Sequence, residues 1–124
     1  MLKIFFPAGL SFLGSRNFEE TLCVNTLNGH SLHVSCLQLI DQYTLASGSS
    51  DYTIKIWDLR NYNCVNTLNG HSFSVSCLQL IDQYTLASGS SDNTIKIWDL
   101  RNYNCVKTLN GHSFSVSCLQ ISYQ

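Results

Sequence analysis

The chain has 124 residues, of which 44% are hydrophobic and only 12% charged, with a formal net charge of −1. That charged fraction is about half the ~25% usual for soluble domains, and the scattered Lys and Arg form no basic stripe of the kind that binds a phosphate backbone, so nucleic acid is excluded as an expected partner. No apolar run reaches the ~18 residues needed to cross a bilayer, so no membrane partner is expected either.

The N-terminal stretch "MLKIFFPAGLSFLGS" places a lysine before a mostly apolar run over 4–14, the outline of a short secretory signal. Pro7 interrupts that run, and Phe12 or Leu13 would stand where cleavage wants a small residue. The chain also carries no Asn-x-Ser/Thr acceptor. Residues 1–22 are therefore read as a degenerate or irregular segment, and the expected location is cytoplasmic or nuclear.

From residue 23 the chain is periodic. Gly29-His30, Gly70-His71 and Gly111-His112 recur every 41 residues. Copies 23–63 and 64–104 differ at three positions only: Leu32/Phe73, His33/Ser74 and Tyr52/Asn93. A third copy begins at Cys105 and runs to Gln124, about half a repeat. A fixed period of this length means stacked units that bury one another's faces.

Within a unit, helical periodicity is absent while β-branched and aromatic residues dominate. The second copy predicts strands over 74–81, 85–90, 94–100 and 105–109, each closed by Asp, Gln, Ser, Asn or Gly. In the third strand Ile95 and Ile97 share one face and Lys96 and Trp98 the other, the pattern of a sheet covered on both sides. A lone fourth strand over 23–28 and a lone first strand over 116–121 bring the total to ten, or about two and a half units.

Gly-His, then Trp-Asp at Trp57-Asp58 and Trp98-Asp99, on a period of about 40, resembles the WD-repeat β-propeller family. The resemblance implies an all-β fold of four-stranded antiparallel blades and a non-catalytic scaffold for protein partners, with no cofactor. It also implies a buried hydrogen-bonded set in each complete blade: His30, Ser47, Asp51 and Trp57, then His71, Ser88, Asp92 and Trp98. Ser49 and Ser90, on the same strand face, are alternative members. Of the third set only His112 is present.

Ser, His and Asp together also suit a hydrolase. The constellation recurs in each copy, however, no Gly-x-Ser-x-Gly elbow presents the serine, and the Trp accounts for the fourth partner without catalysis. His30, His33 and Cys36 form a His-x-x-His-x-x-Cys run, but a loop entering a strand does not converge those side chains, and the second copy has Ser74 for His33, so no metal is expected. Cys23, Cys64 and Cys105, with Cys36, Cys77 and Cys118, follow the repeat and are read as small buried thiols in a reducing compartment.

By resemblance, the loop face that meets partners carries His33, Ser35, Ser50, Ser74, Ser76, Ser91, Ser115 and Ser117, a face thin in the aromatic and Arg anchors that dominate binding. "WDLR" at 57–60 and 98–101 is similar to the box of cullin-type ubiquitin-ligase receptors, where Arg60 and Arg101 would touch the adaptor. About two and a half blades fall short of the ~4–8 of a closed ring. The chain is accordingly expected to be part of a longer propeller, or else to close a ring by self-association.

Overall fold

Short β-branched and aromatic runs, each closed by residues that favour turns, leave the chain little alternative to strands. A computed structural model of the chain describes residues 2–7, 21–120 and 122. Its elements are β1 (Leu2–Pro7), β2 (Thr21–Leu27), β3 (Val34–Asp41), β4 (Thr44–Ser49), β5 (Ile54–Asp58), β6 (Asn63–Leu68), β7 (Val75–Asp82), β8 (Thr85–Ser90), β9 (Ile95–Asp99) and β10 (Asn104–Leu109). Among the described residues no helix occurs. Strands β3–β4–β5–β6 form one antiparallel four-stranded sheet and β7–β8–β9–β10 a second, with β1 and β2 a two-stranded pair. These are two complete propeller blades and part of another.

The expected strands match the observed ones within a residue or two, with two exceptions. The first is β1. Residues Leu2, Lys3, Ile4 and Phe5 face Leu27, Thr26, Asn25 and Cys23, just as Ile54, Lys55, Ile56 and Trp57 face Leu68, Thr67, Asn66 and Cys64, with the register break in the same place. Strand β1 is thus a third strand and β2 a fourth. The fixed 41-residue offset conceals this because it sets Gly14 and Arg16 against Lys55 and Trp57, whereas four residues join β5 to β6 and thirteen separate β1 from β2. The apolar run read as a possible signal lies mostly outside the described residues.

The second exception is the strand expected over 116–121. Residues 116–120 lie outside any strand, since among the described residues no neighbouring strand pairs with them. Ile121 is outside the described residues.

The two blades share one core: Ala46, Ile54, Ile56 and Leu68 of the first pack with Val75, Leu78, Leu86 and Trp98 of the second. At the joint, the Ser35 hydroxyl donates to the Val75 carbonyl, and the same bond recurs from Ser76 to Val116. Gly48 permits the approach. A Cβ there would lie 2.5 Å from Cys36 Sγ and 2.7 Å from Val75 Cγ1, and Gly89 stands in the same relation to Cys77 and Val116.

Coverage by a neighbour, not residue type, then sets burial. Leu78 is 8% exposed, while its equivalent Leu37, with no complete blade packed on its side among the described residues, is 50% exposed. The cysteines divide likewise. Cys77 is buried and Cys36 half-buried, but Cys64, Cys105 and Cys118 are exposed, so the expectation of six buried thiols is corrected. Cys64 and Cys105 belong to β6 and β10, the outermost strands of their blades; the side chain of Cys23 is outside the described residues.

Gly48→Ala is expected to cost ~1–3 kcal/mol by overpacking the joint between blades. The check is a lowered urea midpoint with an unchanged m-value.

Candidate functional site

Each complete blade holds one directional chain of hydrogen bonds. The Trp57 indole Nε1–H donates to Ser47 Oγ over 2.8 Å. Ser47 Oγ lies 2.7 Å from His30 Nε2, and His30 Nδ1 lies 2.9 Å from Asp51 Oδ2. The second blade repeats this with Trp98, Ser88, His71 and Asp92 at 2.8, 2.7 and 2.8 Å. Trp can only donate and a carboxylate can only accept, so one arrangement satisfies every group. Ser accepts from Trp and donates to Nε2, and a neutral imidazole carrying its proton on Nδ1 donates to Asp.

The chain of bonds ties three parts of the blade together: the Gly-His loop, the inner hairpin strands, and the turn between β4 and β5 or β8 and β9. Gly29 precedes His30 where a Cβ would press to 3.1 Å from the Trp57 ring. Two members were not legible as such in the sequence. Thr53 Oγ1 donates to Asp51 Oδ1 over 2.6 Å and lies 3.3 Å from His30 Nδ1, and Thr94 does the same for Asp92 and His71. Their signal was the Asp-x-Thr spacing at the head of the third strand. Ser49 and Ser90 do not substitute for Ser47 and Ser88. Each instead bonds a loop carbonyl, Ser49 to His33 at 2.7 Å and Ser90 to Ser74 at 2.8 Å. His112 of the third copy is exposed.

The electrostatics follow from these partners. Burial alone would raise the carboxyls of Asp51 and Asp92, but bonds from the threonine hydroxyl, the histidine and two backbone N–H groups hold both well below the usual carboxylate range. Burial pushes His71 below its ordinary value, with Asp92 opposing in part. Burial also pushes the Cys36 thiol up to about 11 and raises Cys77.

Although Ser–His–Asp spacing matches a hydrolytic triad, Ser47 and Ser88 are 0% exposed, and each hydroxyl already accepts from an indole N–H. Both ring nitrogens of His30 are engaged, and His30, His33 and Cys36 do not converge: His33 is exposed on its loop while His30 points to Ser47.

The proposed loop-face residues separate into two groups. Ser35 and Ser76 are consumed by the blade joints described above. Ser50 and Ser91 are fixed through their backbone N–H groups to the carbonyls of His33 and Ser74 at 2.8 and 3.0 Å. His33, Ser91, Ser115 and Ser117 are exposed and Ser50 and Ser74 half-buried. Among them stand apolar side chains that the serine pattern hid: Leu32, Tyr52, Phe73 and Phe114, the last 83% exposed. Tyr52 meets Phe73 edge-on across the two blades, ring centroids 5.9 Å apart. On the opposite loops Arg60 folds back on Asp58, with Nε and Nη2 at 3.1 and 3.0 Å from its two oxygens, and lies over the Tyr43 ring. Arg101 repeats this with Asp99 and Tyr84.

The family model of the WD domain, G-beta repeat, matches residues 21–58, 62–99 and 103–124. The chain belongs to the WD-repeat family. Similar curated proteins include mitochondrial division protein 1 of Neurospora crassa, 54% identical over 37 residues, 30% of this chain and 6% of that protein. A ribosome biogenesis protein WDR12 homolog of Drosophila sechellia is 56% identical over 34 residues, 27% of this chain and 8% of that protein. Protein SPA1-RELATED 3 of Arabidopsis thaliana is 48% identical over 44 residues, 36% of this chain and 5% of that protein. The WD-repeat chain thus spans less than a tenth of the length of these relatives.

Ser88→Ala is expected to strand the indole of Trp98 and Nε2 of His71, at ~1–3 kcal/mol for each group; denaturant unfolding measures the loss. Acid should weaken the same networks. His71, depressed when folded, contributes stability that is whole above the unfolded imidazole value of ~6.5 and falls as pH drops through it. Asp51 and Asp92 add stability that is whole above ~4 and is lost below. Thermal midpoints measured against pH should therefore decline below ~6.5 and more steeply below ~4.

Proposed function

We propose that this WD-repeat chain is a non-catalytic interaction platform whose loop face, carrying Leu32, His33, Tyr52, Phe73 and Phe114, receives a protein partner. The observation that carries this reading is where the copies differ. Across 41 aligned positions the only three differences are at 32/73, 33/74 and 52/93, and all three fall on that face. The rest of the blade repeats without change. Exposed aromatic side chains beside polar ones are what interface anchors require.

The buried His–Ser–Asp–Trp sets serve as locks that hold these loops in one geometry for recognition. His33, Ser50, Ser74, Ser91, Ser115 and Ser117 would supply polar contacts around the apolar ones. Ser35 and Ser76 are assigned to the blade joints instead. Exposed thiols at Cys64, Cys105 and Cys118 fit a reducing compartment, cytoplasm or nucleus. A cullin-ligase adaptor role through Arg60 and Arg101 has no specific observation in its favour, since each guanidinium is held by the aspartate two residues before it.

The test is photo-crosslinking from a benzophenone label at position 91 on the loop face. Phe73→Ser with Phe114→Ser is expected to reduce recovery of the crosslinked proteins more than tenfold. Arg60→Ala with Arg101→Ala should leave recovery unchanged. The opposite pattern would favour the adaptor reading, and labelling of Ser47 or Ser88 by a fluorophosphonate would overturn the non-catalytic one.

A further inference from the structure

Between the two complete blades, on the face opposite the Phe73 and Phe114 loops, lies a cavity of about 170 Å³. The first blade lines it with Ile40, Asp41 and Ile56, the second with Tyr84, Leu100 and Tyr103. Ile56 is buried, while Ile40, Leu100 and Tyr103 are partly buried and pack against the shared core. Asp41 and Tyr84 are exposed, so the cavity reaches the surface. It is an apolar recess at a joint, and neither blade forms it alone.

Its size narrows the class of occupant. Small-molecule sites run to ~300–1,000 Å³, so about 170 Å³ suits one protein side chain rather than a cofactor. An aliphatic lining with aromatic rings is what a protruding anchor fills at an interface. The lining carries one charge, Asp41, and no basic residue. Asp41 Oδ1 accepts from Tyr43 N–H at 2.8 Å, yet among the described residues the carboxylate makes no ion pair. The neighbouring turns differ in this respect. Asp99 holds Arg101 over the Tyr84 ring, and Asp58 holds Arg60 over Tyr43. The recess thus sets a carboxylate without a counter-charge beside an aliphatic slot.

Tyr103 occupies a strained position there. Its backbone is left-handed, at φ 62°, as is that of Tyr62 in the first blade. Glycine or asparagine takes that region readily, and a bulky aromatic residue does not. The turn is closed by its N–H, bonded to the Asp99 carbonyl at 2.7 Å, a bond that any residue but proline can make. What tyrosine adds at this position is its ring against the recess.

We propose that this recess is a second protein-binding site, taking a leucine, isoleucine or valine side chain of a partner segment that carries lysine or arginine beside it. The aliphatic group packs on Ile40, Ile56, Leu100 and Tyr103, and the cation pairs with Asp41. The site lies on the opposite face from the loop-face platform, so either reading can fail without the other.

Amide shifts of the ¹⁵N-labelled full chain, titrated with the end-blocked peptides Gly-Ser-Leu-Lys-Ser-Gly and Gly-Ser-Lys-Leu-Ser-Gly, test it. At up to ~5 mM, where single-anchor contacts become measurable, at least one peptide is expected to shift Gln83, Tyr84, Leu100 and Tyr103. Alanine in place of the peptide leucine should weaken binding about tenfold or more. Glutamate in place of the lysine should weaken it about fivefold or more. Asp41→Asn should abolish the preference for lysine over glutamate, since asparagine keeps the oxygen that accepts from Tyr43 N–H. Asp82→Asn, at the equivalent position outside the recess, should leave that preference intact. Should Asp41→Asn fail to fold, sodium chloride at ~0.5 M should abolish the same preference by screening. Absence of shifts at the recess with both peptides, equal binding of the alanine or glutamate peptides, or a lysine preference that survives Asp41→Asn would overturn the proposal. Shifts confined to Phe73 and Ser74 would also overturn it, and would speak for the loop face instead.

Discussion

A buried hydroxyl organises each blade. Ser47 and Ser88 accept from an indole and donate to an imidazole, which a hydroxyl can do because it both donates and accepts. A backbone amide is directional but immobile, and a carboxylate cannot donate. The serine therefore fixes the tautomer of the histidine, which fixes the aspartate, which in turn caps the turn leading into the third strand. Loops on the surface inherit their positions from an interior in which every polar atom has a partner: no buried side-chain nitrogen or oxygen among the described residues lacks one.

Stacking is the second constraint, and it acts through small residues. Gly48 lets the inner strand of the next blade, and Gly89 the segment at Val116, come close enough for a serine hydroxyl to reach a valine carbonyl. A satisfied polar contact then sits within an apolar joint and sets its register. The arrangement is modular, because a blade needs only its neighbours. It also leaves terminal faces whose composition is that of a core. The same leucine is therefore interior in one copy and half in water in another.

The division of labour between constant and variable positions gives the surface its meaning. Residues that touch the lock or the joint are identical between the complete copies, while the differences at 32/73, 33/74 and 52/93 fall on loops that the lock positions but does not use. Tyr52 and Asn93 both take a left-handed backbone, at φ 78° and 73°, and asparagine adopts that region more readily than tyrosine. Tyr52 adopts it in the same turn that sets its ring against Phe73.

Much of this was legible in the chain itself. The 41-residue period, the Gly-His and Trp-Asp pairs and the turn residues determine the blade, its strands and the partners of Trp57 and Trp98, because these follow from local pattern and from which groups can donate or accept. Strand β1 was hidden, since an insertion shifts the period and spacing alone cannot see pairing. So was the apolar component of the loop face: Phe73 and Phe114 resemble core residues in sequence, yet their loops leave them exposed. The burial of Leu78 against the exposure of Leu37, and of Cys77 against its repeat equivalent Cys118, was decided only in the tertiary structure. Identical residues acquire different environments there according to whether another blade lies against them, and that is a property of position in the stack rather than of any residue.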